Sequence, residues 1–135
     1  MSPKTLLDTD ILSAIMRREP SSLARSRKYL SEHSRLTFSL ITRFEVLRGL
    51  KAKGAIARAK KFDRFCAGCD ILTLTDEIIV RASDIYADLY RRGELISDAD
   101  ILIAANALTD QLVLATNNAA HFARIQGLQI DNWSR

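Results

Sequence analysis

Four acidic side chains, Asp8, Glu45, Asp98 and Asp100, fall where strand-like apolar runs give way to helical stretches. Asp8 ends the run Lys4-Thr5-Leu6-Leu7-Asp8, and Asp100 opens the apolar helix Ile101-Leu102-Ile103-Ala104-Ala105. In an open parallel sheet, such positions face the ligand crevice beyond the carboxyl ends of the strands. Carboxylates gathered there repel one another unless a cation joins them, so the pattern points to a divalent metal. A metal beside a basic surface suits chemistry on a phosphodiester.

Each acid also has a plainer reading. In Asp8-Thr9-Asp10, Thr9 or Asp10 can cap the first helix by accepting a bond from a free helix N–H. That role accounts for Asp10 but less well for Asp8, which still belongs to the strand. Thr42-Arg43-Phe44-Glu45 has the spacing of a capping box, which would make Glu45 a third helical residue. Ser39 is an equally good cap and would move Glu45 into the second turn. Ser97-Asp98-Ala99-Asp100 is a second capping-box match. Asp98 and Asp100 are separated by about 200° around a helix, so they cannot both face one pocket. One is expected to cap while the other faces inward. Asp100, nearer the apolar run, is the expected ligand, and Asp98 then serves the helix end or the rim. Thr116-Asn117-Asn118 leaves a buried strand beside Asp8; these residues can orient water, contact a phosphate, or form a turn.

The elements that must position these groups alternate. Strand candidates are residues 4–8, 36–38, 70–74, 112–115 and 128–130. The first, third and fourth are short, nearly continuous apolar runs, as expected of parallel strands covered on both faces. Helical periodicity lies between them: Ile11, Leu12 and Ile15; Leu23, Arg27 and Leu30 after Pro20; Phe44, Leu47 and Leu50, ending near Gly49 or Gly54. A further helix carries Phe62 and Phe65. The stretch 76–92 has Ile78, Ala82, Ile85, Tyr86 and Leu89 on one stripe, and 99–109 is apolar almost all round. Alternation of this kind predicts an α/β fold, a three-layer α/β/α sandwich on a parallel sheet, as a single domain over 1–135.

Composition narrows the partners. Residues 17–64 hold 14 of the 20 Lys and Arg but only four acids, within a net charge of +4. A polyanionic partner for this half is one reading, and a set of solvated helix faces the other. No apolar run reaches the roughly 20 residues that cross a bilayer, and Met1-Ser2-Pro3-Lys4 has no leader pattern, so a cytoplasmic location without membrane attachment is expected. Cys66-Ala67-Gly68-Cys69 has redox spacing in the wrong order, after a helix and before a strand. It reads as a helix terminus with Gly68 at C′. Neither His33 nor His121 has an activated nucleophile nearby, and no glycine-rich phosphate loop is present.

Taken in order, the segments resemble the PIN-domain ribonucleases, most closely the VapC-type toxins of prokaryotic toxin–antitoxin pairs. Leu6-Leu7-Asp8-Thr9-Asp10 resembles the family's opening strand. Ser39-Leu40-Ile41-Thr42-Arg43-Phe44-Glu45-Val46-Leu47-Arg48-Gly49 is similar to its Ser-x-x-Thr-x-x-Glu-Leu-x-x-Gly segment. Asp100-Ile101-Leu102-Ile103-Ala104-Ala105 resembles its Asp-x-x-Ile-Ala-Ala helix, and Thr116-Asn117-Asn118, His121-Phe122, Gly127-Leu128 and Trp133 its C-terminal signature. The resemblance implies an endoribonuclease with Asp8, Glu45 and Asp100 converging on Mg²⁺ or Mn²⁺. Asp8 and Asp100 are the expected direct ligands, with Thr9, Asn118 and Asp98 as accessory groups. Many PIN domains carry a fourth acid where this chain has Asn118, a departure that bears on a second metal position. The family also implies an RNA substrate, a homodimer, and a VapB-type antitoxin whose C-terminal segment blocks the groove.

Two other readings compete. Asp-x-Asp after a first strand also occurs in aspartate-nucleophile phosphatases, and receiver domains use an acidic cluster. Both need a late lysine, and the chain has none after Arg92. A non-catalytic RNA- or antitoxin-binding module would keep the basic span but would have no need for three converging acids.

Overall fold

Strands that are apolar along their whole length need cover on both faces, and the order of elements supplies it. A computed structural model describes residues 1–135. The chain runs β1 (Thr5–Leu7), α1 (Thr9–Met16), α2 (Pro20–Glu32), β2 (Thr37–Ser39), α3 (Leu40–Ala52), α4 (Ile56–Ala67) and β3 (Asp70–Leu72). It continues through α5 (Asp76–Arg92), α6 (Asp98–Thr109), β4 (Val113–Ala115), α7 (Ala119–Phe122) and β5 (Ile130–Asp131). The five strands form one sheet in the order β3-β2-β1-β4-β5, and every pairing is parallel.

Strand alternation divides the core into two layers. Leu6 and Leu114 meet Ile78, Leu89, Ile103 and Phe122 on one face. Leu7 and Ala115 meet Ile11, Leu12, Phe62 and Trp133 on the other. The expected three-layer α/β/α sandwich is therefore present. From β1 the chain builds outward through β2 and β3, then returns to the opposite side of β1 with β4. A crevice opens at such a reversal, beyond the strand ends.

Helix limits follow local chemistry. α5 spans 76–92 as expected: Thr75 Oγ1 accepts from Ile78 N at 3.2 Å, and Gly93 closes the helix in the left-handed conformation at φ +66°. Ser39, not Thr42, caps α3, accepting from Ile41 N at 3.0 Å, which puts Glu45 in the second turn. Gly49 lies inside α3 rather than ending it.

Several expectations are corrected. The face of α2 that enters the core is Ser22, Ser26 and Tyr29; Leu30 is exposed. Of the expected stripe only Leu23 packs against the core; the Tyr29 hydroxyl accepts from Thr5 N at 3.1 Å, and small serines let the helix approach closely. Phe44 and Tyr86, placed on core stripes, are exposed. Gly68 caps α4 at φ −96°, not in the left-handed region. The last strand begins at Ile130 rather than at 128, and the short helix α7 was not foreseen. Cys66 and Cys69 are free thiols, and burial pushes Cys69 up to about 11, opposite to what a redox pair needs.

Leu114 is wholly buried in β4, between β1 and β5. Leu114→Ala should lower the unfolding free energy by about 2–5 kcal/mol, read by urea denaturation. A loss below about 1 kcal/mol would mean that the helices on that face do not seal against the sheet.

Candidate metal centre

Parallel strands β1, β2 and β4 all end at the same edge of the sheet, so the chain segments that follow them share a crevice. Asp8 follows β1 directly and caps α1. It is 5% exposed, with Oδ1 accepting from Thr9 N at 2.8 Å and Oδ2 from the Thr116 hydroxyl at 2.8 Å. Asp8, and neither Thr9 nor Asp10, is thus the helix cap. Thr116 is itself fully buried at the end of β4 and accepts from Asn118 N at 2.9 Å.

Glu45 arrives from α3. Its Oε1 accepts from the Thr9 hydroxyl at 2.6 Å, and Oε2 stands 3.5 Å from the Arg48 guanidinium. The buried Thr42 hydroxyl lies 3.1 Å from that of Thr9, so two hydroxyls in series hold this carboxylate. Asp100 is at the start of α6, where its amide donates to Ser97 Oγ at 3.2 Å. Its carboxylate is 3.9 Å from His121 Nδ1, and that nitrogen is 2.8 Å from Asn118 Nδ2.

Of the residues singled out from the sequence, Asp8, Thr9, Glu45, Asp100 and Asn118 line this one space. Asp98 does not. Ser97 performs the capping that had been assigned to one of the two aspartates. Asp98 is exposed and faces a shallow groove with Ile79, Tyr86 and Leu102. Thr116, expected to orient water or contact a phosphate, instead holds Asp8, and Thr42 and His121, read only as parts of motifs, also belong to the network. Their bonds join residues 33 and 108 positions apart in Thr9–Thr42 and Asp8–Thr116, which local spacing does not report. Only the Asn118–His121 pair, three residues apart, had a local signal.

The electrostatics are those of crowded acids. Burial, and then the charge of Asp10, push Asp8 up to about 7 against the opposing bonds from Thr116 and Thr9; Asp100 adds to the rise. Asp100 is likewise raised, first by burial, with the Glu45 charge adding and Ser97 and His121 opposing. Asp10 is raised by burial, and its Oδ1 is buried with no hydrogen-bond partner. An orphaned carboxylate oxygen among other carboxylates suits a hard cation with oxygen ligands. As placed, no three acids close around one ligating point. That arrangement matches an ion that keeps several waters and takes only one or two carboxylates directly. A surface cavity of about 600 Å³ beside Glu77, Arg81 and Gln126 contains none of these groups.

The raised Asp8 makes stability depend on pH in a definite sense. Between the ordinary value of 3.8 and about 7, the unfolded chain has lost this proton and the folded chain has kept it. Metal-free protein therefore loses stability as pH rises through that window, and the loss is complete above it. Asp8→Asn, melted in EDTA, should gain on wild type from pH 4 to pH 7. A constant difference in Tm across that range would refute the burial of a titrating Asp8.

Comparison with known proteins agrees with this arrangement. Residues 5–128 match the model of the PIN domain. The chain is 27% identical to Ribonuclease VapC2 of Rickettsia felis, over 96% of this chain and 98% of that protein. It is 30% identical to the tRNA(fMet)-specific endonuclease VapC of Salmonella typhimurium, over 96% and 98%. The crystal structure of VapBC2 from Rickettsia felis, bound to a DNA fragment from their promoter, superposes with a TM-score of 0.85 at 25% identity, covering 96% of this chain and 98% of that one. With a parallel sheet in this strand order, acids at its carboxyl edge and a family match over nearly its whole length, the chain belongs to the PIN domain family.

Proposed function

We propose that this chain is a divalent-metal-dependent endoribonuclease and the toxin of a toxin–antitoxin pair. The observation that carries this reading is the meeting of Asp8, Glu45 and Asp100 from three separate elements at one end of the sheet. Its VapC relatives are a ribonuclease and a tRNA-specific endonuclease by name, and solved structures that resemble it include VapBC from Rickettsia felis and Haemophilus influenzae.

Asp8 and Asp100 would hold Mg²⁺ or Mn²⁺. Bound there, the ion supplies Lewis acidity, offsetting charge on the phosphate and making a nearby water easier to deprotonate. Glu45 orients the attacking water and takes its proton, while the Thr9 hydroxyl keeps the carboxylate in one rotamer. Thr116 fixes Asp8 against rotation. Water oxygen bonds to phosphorus in line with the P–O3′ bond, which breaks, and the departing O3′ takes a proton from solvent water. The products are a 5′-phosphate and a 3′-hydroxyl. Asn118, at the rim beside His121, is placed to donate to a phosphate oxygen.

Arg and Lys of residues 17–64 would hold the RNA backbone, with the steep salt dependence of phosphate contacts. RNA as substrate places the reaction in the cytoplasm, and no helix is long and apolar enough to cross a membrane. A homodimer and an antitoxin of the VapB type, its C-terminal segment entering the acidic groove, complete the assembly.

Purified protein incubated with total cellular RNA and Mg²⁺ or Mn²⁺ should give discrete products, and EDTA should abolish them. Glu45→Gln and Asp100→Asn should each lower the cleavage rate by about 10²-fold or more. Cleavage by either variant at the wild-type rate would sink the assignment of the site.

A further inference from the structure

An aromatic ring stands beside the crevice and has no part in the proposed reaction. Phe44 lies on α3 immediately before Glu45 and is 57% exposed. Leu40, Phe44 and Arg48 recur every four residues, so they share one face of the helix, and all three are exposed. The Arg48 guanidinium lies over the Phe44 ring, 5.1 Å from its centroid, and reaches Glu45 Oε2 at 3.5 Å. Ring, cation and crevice carboxylate thus form one continuous cluster. Lys51 and Lys53, both exposed, carry the positive charge on past the last turn of α3.

A single exposed apolar side chain is ordinary on a protein surface and needs no partner. Phe44 differs in its surroundings. It belongs to neither layer of the core, and shielding an arginine stem does not require a ring that stays more than half in water. α3 carries Arg43, Arg48 and Lys51 against Glu45 alone. The other exposed aromatic pair, Tyr86 and Tyr90, lies on α5, where Asp76, Glu77, Asp84 and Asp88 outnumber the arginines. An aromatic face bordered by cations is what single-stranded nucleic acid uses: bases stack on the ring while the cations follow the phosphates. A second copy of this chain would bring the same cations against one another, so charge favours the polyanion.

Resting on the ribonuclease reading above, we propose that Phe44 is a stacking platform for an unpaired base next to the phosphate that is cut. The base lies on the exposed surface of the ring, and Arg48 and Lys51 face the backbone. Because Glu45 is the next residue along α3, a strand held this way is unpaired where it meets the reacting centre. A base inside a duplex keeps its faces against its neighbours and does not reach the ring. Every base has a π-face, so the platform registers that a base is free rather than which base it is. Phe44 therefore helps to set the class of substrate, a single-stranded segment, without holding the ion or the water.

The test is binding of a fluorescein-labelled, unstructured oligoribonucleotide in EDTA, where no strand is cut, read by anisotropy beside the same strand annealed to its complement. Phe44→Ala should weaken single-strand binding by about fivefold or more and leave duplex binding unchanged. Phe44→Trp should bind the single strand at least as tightly as wild type. Phe44→Leu, apolar but without a π-face, should behave as Phe44→Ala does. Tyr90→Ala should match wild type, and all four variants should melt with it, since the changed side chains are exposed. Unchanged single-strand affinity in Phe44→Ala, an equal loss on the duplex, full retention in Phe44→Leu, or the same loss in Phe44→Trp or Tyr90→Ala each overturns the platform. Cleavage by wild type with Mn²⁺ then leaves the nuclease reading standing. Phe44→Ala that keeps its RNA affinity but loses self-association in sedimentation assigns the ring to a second copy of the chain and overturns the proposal. Wild type that holds RNA through Phe44 yet cuts none with Mn²⁺ supports the platform and overturns the nuclease reading alone.

Discussion

The arrangement depends on a buried carboxylate that the fold cannot neutralise by itself. Asp8 sits at the end of the central strand with a backbone amide on one oxygen and a buried hydroxyl on the other. Those two bonds favour its charge, yet burial and the neighbouring acids outweigh them. Helix dipoles help: the amino ends of α1 and α6 both point their partial positive charge at this space. Such dipoles offset a fraction of a charge, and the crevice holds several. The residual negative potential is the property on which a cation, and through it a phosphodiester, can act.

Strand order is what concentrates those acids. With β1 in the middle and its neighbours β2 and β4 both parallel to it, the segments that leave all three strands emerge on one side. Three-residue strands suffice because both faces are sealed. Leu6 and Leu7 are each within 1% of complete burial although they point in opposite directions. Rigid packing beneath the crevice is also what keeps like charges from separating. Thr42 and Thr116, both fully buried, carry that rigidity up to Glu45 and Asp8 through hydroxyl contacts.

Legibility in the sequence tracked how local the signal was. α5 was readable to its limits because Thr75, Gly93 and the apolar stripe are all encoded within 19 residues. The strands β1, β3 and β4 stood out as short apolar runs, though each proved shorter than its run. α2 was found but turned the wrong way, since serines and a tyrosine replace the leucines that a hydrophobic stripe leads one to expect. At the crevice, Asp8 and Asp100 stood out by their places at element boundaries, and Glu45, inside α3, as one of only four acids in a basic span. The cap at Ser97 and the 200° separation disposed of Asp98 only once the helix start was known. Thr42, Thr116 and the inward lean of Asp10 depend on contacts across the sheet, and no spacing rule encodes those.

The basic half of the chain acts on a different scale from the crevice. Of its 14 cations, Arg25, Arg43 and Arg48 pair with carboxylates of this chain, to Asp131, Asp63 and Glu45. The other eleven form no ion pair within the chain, and surface charges of this kind raise encounter rates with any polyanion. They carry no information about where a strand is cut. Arg48 stands where this basic span meets the crevice: its guanidinium lies 3.5 Å from Glu45 and 5.1 Å from the ring of the exposed Phe44. Long-range attraction and short-range charge are thus separate properties of this chain, one spread over the helices of residues 17–64 and the other confined to the carboxyl edge of the sheet.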